Sequence, residues 1–229
     1  LLGLPVPSSF CTLAAAAVQA AAERLGGDLF DVVLLEGGRR VGVLVADVCG
    51  HGVAAALITA MTKITFQGAC QTSLDPAEVL QHMNRELLES MSSGFVSAVY
   101  GIYDQETRRF ACSSGGHPPV LLHRRATGRV RELMPRSTFL GCFQEVLFHT
   151  ETSDLQPGDR LLFYTDGLFE SRRADGRDFG MRRVHEHLRA QEARAAQPLV
   201  DGLIEALKHF LDGEAVQDDI TLVALDVLS

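Results

Sequence analysis

The chain has 229 residues, of which 46% are hydrophobic and 22% charged, a balance typical of a globular chain that can bury a core. It has 21 Lys and Arg against 29 Asp and Glu, a formal net charge of -8, which argues against binding of nucleic acid or anionic lipid. No apolar run reaches the roughly 18 residues of a membrane span, and no signal peptide is recognisable. We therefore expect one domain over residues 1–229, with neither a nucleic-acid nor a membrane partner.

The cysteines are widely and irregularly spaced, at Cys11, Cys49, Cys70, Cys112 and Cys142. None of them forms a CxxC pair, and a chain of this length does not need a disulfide framework. A cytoplasmic location, where thiols stay reduced, is therefore the simplest expectation. Because the sequence begins with Leu rather than Met, we also expect that the chain was cut from a longer one.

In the first half of the chain, the Ala-rich run 14–22 is ambiguous, because Ala favours helix while its neighbours belong to a sheet. Apolar, β-branched runs predict a hairpin of strands over 31–36 and 41–48. Helical spacing of apolar residues then predicts helices over 53–69 and 76–91, the second with Asp75 as its N-cap.

The second half of the chain continues with short strands and two further helices. The predicted strands cover 95–103, 109–113, 120–123, 130–133, 160–165 and 220–227, and the predicted helices cover 181–195 and 198–211. Consecutive hairpins and clustered helices indicate an α+β fold with antiparallel sheets. We interpret the glycine pairs at 26–27, 37–38 and 115–116 as turn residues, since no nucleotide-binding Gly motif is present.

Several aspartates lie where a predicted buried strand meets a Gly-containing loop: Asp28, Asp47, Asp166, and the pair Asp218 and Asp219. A single aspartate in such a place is usually a turn residue or a helix cap. If the sheets bring these strand ends to one edge, the converging negative charges require protonation or bound cations. Oxygen ligands favour Mg²⁺ or Mn²⁺ over softer metals.

Six short motifs follow one another along nearly the whole chain: Gly26-Gly-Asp-Leu-Phe-Asp31, Asp47-Val-Cys-Gly-His-Gly52, Phe95-Val-Ser-Ala98, Gly116-His-Pro-Pro119, Tyr164-Thr-Asp-Gly167 and Asp218-Asp-Ile-Thr221. Together they resemble the metal-dependent serine/threonine protein phosphatases of the PPM type, and most closely the bacterial branch that controls sporulation and stress sigma factors. The resemblance implies a four-layer αββα sandwich, in which two antiparallel sheets are flanked by helices. It also implies that the Ala-rich run is an edge strand.

The resemblance implies a site for two Mn²⁺ or Mg²⁺ ions, with the ligands Asp28, Asp47, Asp166 and Asp218. Asp47 would bridge both ions, and the backbone carbonyl of Val48 would be a further ligand. Asp219 stands where many relatives have Asn, so it would either bind metal or orient Asp218.

The implied reaction is hydrolysis of phosphoserine or phosphothreonine by a water that bridges the two ions, which needs no side-chain nucleophile. The implied substrate is a phosphorylated anti-sigma-factor antagonist. A homodimer or an upstream sensory domain is left open by the resemblance.

The chain departs from several animal and plant relatives beside the predicted bridging aspartate. Cys49 replaces the histidine that would protonate the leaving group, and the histidine falls at His51 instead. We interpret His51 and His117 as positional loop residues, and Cys49 as a passively packed one, since unpaired Cys is usually buried. Two alternatives stay open: an inactive phosphatase-like module that binds a phosphoprotein, and a metal-dependent phosphodiesterase for small molecules. The complete aspartate set favours an enzyme over the inactive module.

Overall fold

The computed structural model describes residues 13–20, 26–50, 52–91, 93–190 and 195–228. Its strands are β1 (Leu13–Ala20), β2 (Leu29–Leu35), β3 (Arg40–Val48), β4 (Val96–Asp104), β5 (Arg109–Gly115), β6 (Val120–Arg124), β7 (Arg129–Leu133), β8 (Glu151–Asp154), β9 (Arg160–Tyr164) and β10 (Ile220–Val227). Its helices are α1 (Gly52–Ala69), α2 (Pro76–Ser90), α3 (Gly167–Glu170), α4 (Gly180–Ala190) and α5 (Ala196–Leu211). None of the helices in the described part of the chain has the length and apolarity needed to span a membrane.

The strands form two five-stranded sheets, each in its own compact unit. The first unit comprises Leu1–Glu23, Val120–Glu132 and Gln156–Ser229, and its sheet has the order β1-β10-β9-β6-β7. The second unit comprises Arg24–Pro119 and Leu133–Leu155, and its sheet has the order β2-β3-β4-β5-β8. The single domain expected over residues 1–229 stays a prediction.

In the second unit, α1 and α2 cover one face of the sheet. Phe66 of α1 and Met83 of α2 are fully buried, together with Leu44 and Tyr100 of the strands. The rings of Phe66 and Tyr100 meet edge to face, with their centroids 5.0 Å apart, a favourable aromatic geometry. As predicted, α2 follows the N-cap Asp75, whose carboxylate accepts a hydrogen bond from the Ala77 N–H.

In the first unit, α4 and α5 contribute Leu188 and Leu203 to a core that also contains Leu162 of β9 and Leu222 of β10. The Ala-rich run forms β1, which pairs with β10 from Leu13 opposite Val227 to Ala20 opposite Ile220 and stands at the edge of the sheet. The implied edge strand is therefore confirmed over residues 13–20, while 21–22 lie outside the described residues. Tertiary pairing here overrides the helix propensity of Ala.

The structure confirms the α+β class, with two antiparallel sheets flanked by helices. Each predicted strand and helix is present. The last strand has the predicted ends 220–227, and the other elements have shifted ends. Residues 191–194 of the predicted helix 181–195 are not among those described. Among the strands and α-helices of the described residues, two short elements were not predicted, β8 and α3. The sequence of β8 is polar, and this strand forms because it pairs with β5, with Ser153 opposite Phe110.

Candidate metal centre

Two of the predicted ligands lie opposite each other at one end of the β2–β3 hairpin. The register of the hairpin pairs Leu29 with Ala46, so one further step places Asp28 opposite Asp47. Residues directly opposite on antiparallel strands project their side chains from the same face of the sheet. Asp28 is buried and Asp47 is half-buried, so the second unit presents two carboxylates side by side.

Gly27 lies too close to the end of β3 to carry a side chain. A Cβ at Gly27 would be 2.6 Å from the Val48 carbonyl oxygen and 3.2 Å from Oδ1 of Asp47. The Val48 N–H donates to the Gly27 carbonyl at 3.2 Å, and the Thr59 hydroxyl oxygen of α1 lies 3.3 Å from the same carbonyl oxygen. Two predicted ligand oxygens, one from a side chain and one from the backbone, therefore converge on the space beside Gly27.

Asp47 has a further neighbour in β4, where Ser97 is directly opposite. Ser97 and His117 are both buried, and Ser97 Oγ lies 2.8 Å from His117 Nδ1. The interpretation of His117 as a positional residue agrees with this bond, whereas His51 is outside the described residues. Cys49 is exposed, so its interpretation as a buried packing residue is wrong.

The first unit places Asp166 between β9 and α3. The Thr165 N–H donates to the Thr221 carbonyl at 3.1 Å, and the Thr221 N–H donates to Thr165 Oγ1 at 2.9 Å. These bonds tie the end of β9 to the start of β10, which Asp218 precedes. Burial, followed by the nearby charges of Asp218 and Glu170, raises the pKa of Asp166. Asp166 therefore lies in an environment that disfavours its ionised form unless a cation is present.

Gly167 allows the close approach of these two chain segments. A Cβ at Gly167 would be 2.0 Å from the Asp219 carbonyl oxygen. The Asp219 N–H donates to Oδ1 of Asp218 at 2.8 Å, and Asp219 is buried while Asp218 is exposed. An open pocket of about 190 Å³ begins here, lined by Gly167, Glu170, Ser171, Arg172, Gln217 and Asp218.

The donor atoms in both units fit divalent cations of the Mg²⁺ and Mn²⁺ type. They are oxygens, namely those of Asp28, Asp47 and the Val48 carbonyl in the second unit, and of Asp166, Asp218 and Asp219 in the first. Over the described residues, no group of three or more His, Cys, Asp or Glu side chains is arranged to bind a metal ion. A bound cation would relieve the charge that disfavours ionised Asp166.

Gly27 and Gly167 shape the site for a steric reason that was not predicted from the sequence. Gly37, Gly38 and Gly116 have positive φ values, which agrees with the predicted turn role. Gly27 and Gly167 do not have positive φ values, and each is needed instead for a close backbone contact. Their position directly beside a predicted ligand was the available signal.

The chain is similar to several known proteins. Residues 37–228 match the family described as Stage II sporulation protein E (SpoIIE). The phosphoserine phosphatase RsbU of Bacillus subtilis (strain 168) is 27% identical over 98% of this chain and 66% of its own length. The phosphoserine phosphatase RsbP of the same organism is 29% identical over 66% of this chain and 38% of its own length. The chain thus spans less than two thirds of these relatives.

Solved structures share the fold. The SiaA-PP2C domain of Pseudomonas aeruginosa aligns with a TM-score of 0.80 at 23% identity, over 93% of this chain and 85% of that one. RsbX in complex with magnesium aligns with a TM-score of 0.70 at 20% identity, over 94% of this chain and 96% of that one. The fold is therefore that of PP2C phosphatase domains.

Proposed function

Since the chain belongs to the Stage II sporulation protein E (SpoIIE) family, we propose that it is a metal-dependent phosphatase that hydrolyses phosphoserine or phosphothreonine in a protein. The proposed cofactors are two Mn²⁺ or Mg²⁺ ions. The observation that carries the proposal is the convergence of the Asp47 carboxylate and the Val48 carbonyl beside Gly27. The magnesium complex of RsbX, a protein of the same fold, also supports it.

In this proposal the predicted aspartates hold the ions. Asp28, Asp47, Asp166, Asp218 and the Val48 carbonyl would hold the ions, and Asp47 would be the ligand that serves both of them. The Asp219 N–H, which donates to Oδ1 of Asp218, fixes the orientation of that carboxylate. Bound divalent ions would supply Lewis-acid polarisation of the phosphoryl group and activation of water.

The protonation state of Asp166 also determines whether a cation can bind. The pKa of Asp166 is raised by burial and by the charges of Asp218 and Glu170. A carboxylate ligand must be ionised, so protons and cations compete at this position. We expect the apparent metal affinity to fall in acid for this reason.

We further propose that the substrate is a phosphorylated anti-sigma-factor antagonist. RsbU and RsbP are both named phosphoserine phosphatases, which supports a phosphoprotein substrate for this chain. The open pocket beside Asp218 presents Arg172 and Gln217, polar groups that suit contact with a polypeptide next to its phosphorylated residue.

The deciding experiment is phosphate release from a phosphorylated antagonist protein with Mn²⁺, with Mg²⁺ and in chelator. We expect turnover with either metal, loss of turnover in chelator and recovery when metal is added back. Full activity in chelator after exhaustive dialysis would contradict the metal requirement. Binding of the phosphoprotein without release of phosphate would identify an inactive module, and hydrolysis of bis(p-nitrophenyl) phosphate alone would identify a phosphodiesterase.

A reducing, cytoplasmic location is also part of the proposal. It is supported by the free thiols of Cys49, Cys70 and Cys142, because oxidising compartments favour disulfides. The homodimer and the upstream sensory domain stay predictions.

A further inference from the structure

We propose that His117 is a positioning residue that acts through Ser97 to orient the Asp47 carboxylate. The inference rests on the proposed function in one respect, which is that Asp47 binds the metal ions. It assigns a role to the loop Gly116-His-Pro-Pro119, whose histidine is far from Asp47 in the sequence.

The strand register brings Ser97 to Asp47. The two residues are directly opposite in the β3–β4 ladder, where Cβ atoms are about 4.5–5.5 Å apart and side chains share a face. Their neighbours Val48 and Val96 belong to the core beneath α1 and α2, so Asp47 and Ser97 project from the opposite face of the sheet. A serine hydroxyl in this position can reach the carboxylate opposite.

The loop holds the His117 ring in a fixed place. Its backbone N–H donates to Ser114 Oγ at 3.2 Å, and the Ser114 hydroxyl donates to the His117 carbonyl at 3.2 Å. Gly116 bridges to Ala98 of β4 and has a φ of 71°. A Cβ at Gly116 would be 2.6 Å from the Phe139 ring, so only glycine allows the loop to pass there.

The direction of the hydrogen bond between Ser97 and His117 decides what the pair can do. If His117 carries its proton on Nδ1, it donates to Ser97 Oγ, and the hydroxyl proton is left to donate to Asp47. If the proton is on Nε2, Ser97 must donate to the ring and has no proton for the carboxylate. The inference therefore requires the Nδ1–H tautomer of His117 and a hydrogen-bond chain from imidazole to hydroxyl to carboxylate.

The first test measures Mn²⁺ binding by calorimetry on the whole chain. A partner that orients a ligand typically contributes about 10–100-fold in metal affinity, so His117→Ala and Ser97→Ala should each weaken Mn²⁺ binding by at least about tenfold. His117→Asn keeps an N–H near the Nδ1 position and Ser97→Thr keeps the hydroxyl, so each should restore most of the affinity. Because the two residues act in series, the double alanine variant should bind Mn²⁺ no more weakly than Ser97→Ala.

The second test is the ¹⁵N spectrum of the His117 ring in the metal-free protein, where we expect the Nδ1–H tautomer. The matched control is Ser113→Ala on β5, which removes a buried hydroxyl that has no hydrogen-bond partner among the described residues, and which should leave Mn²⁺ affinity unchanged. An Nε2–H tautomer would overturn the inference. Unchanged Mn²⁺ affinity in Ser97→Ala would also overturn the inference. The inference would fail as well if both alanine variants lowered only the melting temperature and left Mn²⁺ affinity unchanged.

Turnover of p-nitrophenyl phosphate separates the inference from the proposed function. If the natural chain hydrolyses the ester while Ser97→Ala binds Mn²⁺ normally, the inference fails and the phosphatase assignment stands. If the natural chain binds Mn²⁺ without hydrolysing either this ester or a phosphoprotein, while Ser97→Ala weakens binding, the phosphatase assignment fails and the inference stands. If the natural chain does not bind Mn²⁺, both fail.

Discussion

The Val48 carbonyl oxygen lies 2.6 Å from the point that a Cβ on Gly27 would occupy. Real Cβ atoms essentially never approach another heavy atom this closely, so glycine is required at this position for a steric reason. The contact joins the residue before Asp28 to the residue after Asp47. It therefore sets the spacing between two segments that both contribute proposed metal ligands.

Gly27→Ala should weaken Mn²⁺ binding by about tenfold or more, because the added methyl group displaces a ligand oxygen. Calorimetry gives the affinity, and a thermal melt without metal checks the fold. The matched control is Gly68→Ala in α1, where a Cβ would meet nothing within 4 Å. That substitution should stabilise the chain by about 0.5–1 kcal/mol, since Ala is the better helix former. Equal metal affinity in both variants would contradict the proposed role of the Val48 carbonyl.

Asp47→Asn should reduce turnover more than the corresponding change at Asp28, Asp166 or Asp218, because Asp47 in its proposed role would serve both ions. We expect a loss of about a thousandfold, equivalent to about 4 kcal/mol in the activation barrier. The measurement is kcat at saturating Mn²⁺, with circular dichroism to confirm folding. Asp154→Asn, on the exposed end of β8, is the neutral control. Near-normal turnover in folded Asp47→Asn would show that the bridging role is wrong.

Stability should fall in acid because of His123, which is buried in β6. Burial, followed by the charges of Arg160, Arg125 and Arg189, lowers the pKa of this imidazole. The unfolded chain keeps a histidine pKa of about 6.5, so below that pH it binds a proton that the folded chain does not. This contribution to stability is therefore full above about pH 6.5 and is lost as the pH falls toward the lowered folded value.

Urea unfolding from pH 8 to pH 5 tests this prediction. His123→Phe should flatten the slope of unfolding free energy against pH, by up to about 1.4 kcal/mol per pH unit. An identical slope in His123→Phe and the natural chain would show that His123 contributes nothing to acid sensitivity.

Arg160 and Asp226 form a buried ion pair between β9 and β10. Arg160 is 0% exposed and Asp226 is 3% exposed, with Nη2 of the arginine 2.9 Å from Oδ2 of the aspartate. Arg160→Leu leaves the carboxylate buried without its partner and should cost about 3–5 kcal/mol in unfolding free energy. The double variant Arg160→Leu, Asp226→Leu should recover most of that loss.

The comparison for this pair is Arg182→Ala, which removes an exposed ion pair with Glu186 and should cost less than about 1 kcal/mol. Chemical denaturation of the four proteins gives the values. A loss in Arg160→Leu no larger than that in Arg182→Ala would show that the buried pair does not stabilise the sheet.

The sequence predicts most of the fold, because strands and helices with strong apolar periodicity form where the pattern indicates. The exceptions depend on contacts between distant segments. β8 is polar and forms a strand because it pairs with β5. β1 is Ala-rich and forms a strand because it pairs with β10. Cys49 is exposed, although unpaired cysteine is usually buried.

The candidate site, like the fold, could be predicted from the sequence only in part. The positions of the aspartates at strand ends were visible in the sequence. The opposition of Asp28 and Asp47, and that of Asp47 and Ser97, became visible only with the strand register. The steric need for glycine at position 27 could not be predicted either, because glycine occurs in turns more often than in close backbone contacts. Only the three-dimensional structure distinguishes these two roles.

The pairing of β1 with β10 has a consequence for the order in which the chain folds during synthesis. β1 leaves the ribosome before the other described strands, and its partner is the last of them to emerge. Meanwhile β2 to β5, together with α1 and α2, form an uninterrupted stretch of the second unit that can pair as it emerges, since domains tend to fold as their segments become available. An Ala-rich segment has low β-propensity and offers little apolar surface. β1 can therefore stay unpaired without forming incorrect strand pairs, and the sheet of the first unit is completed once β10 has been synthesised.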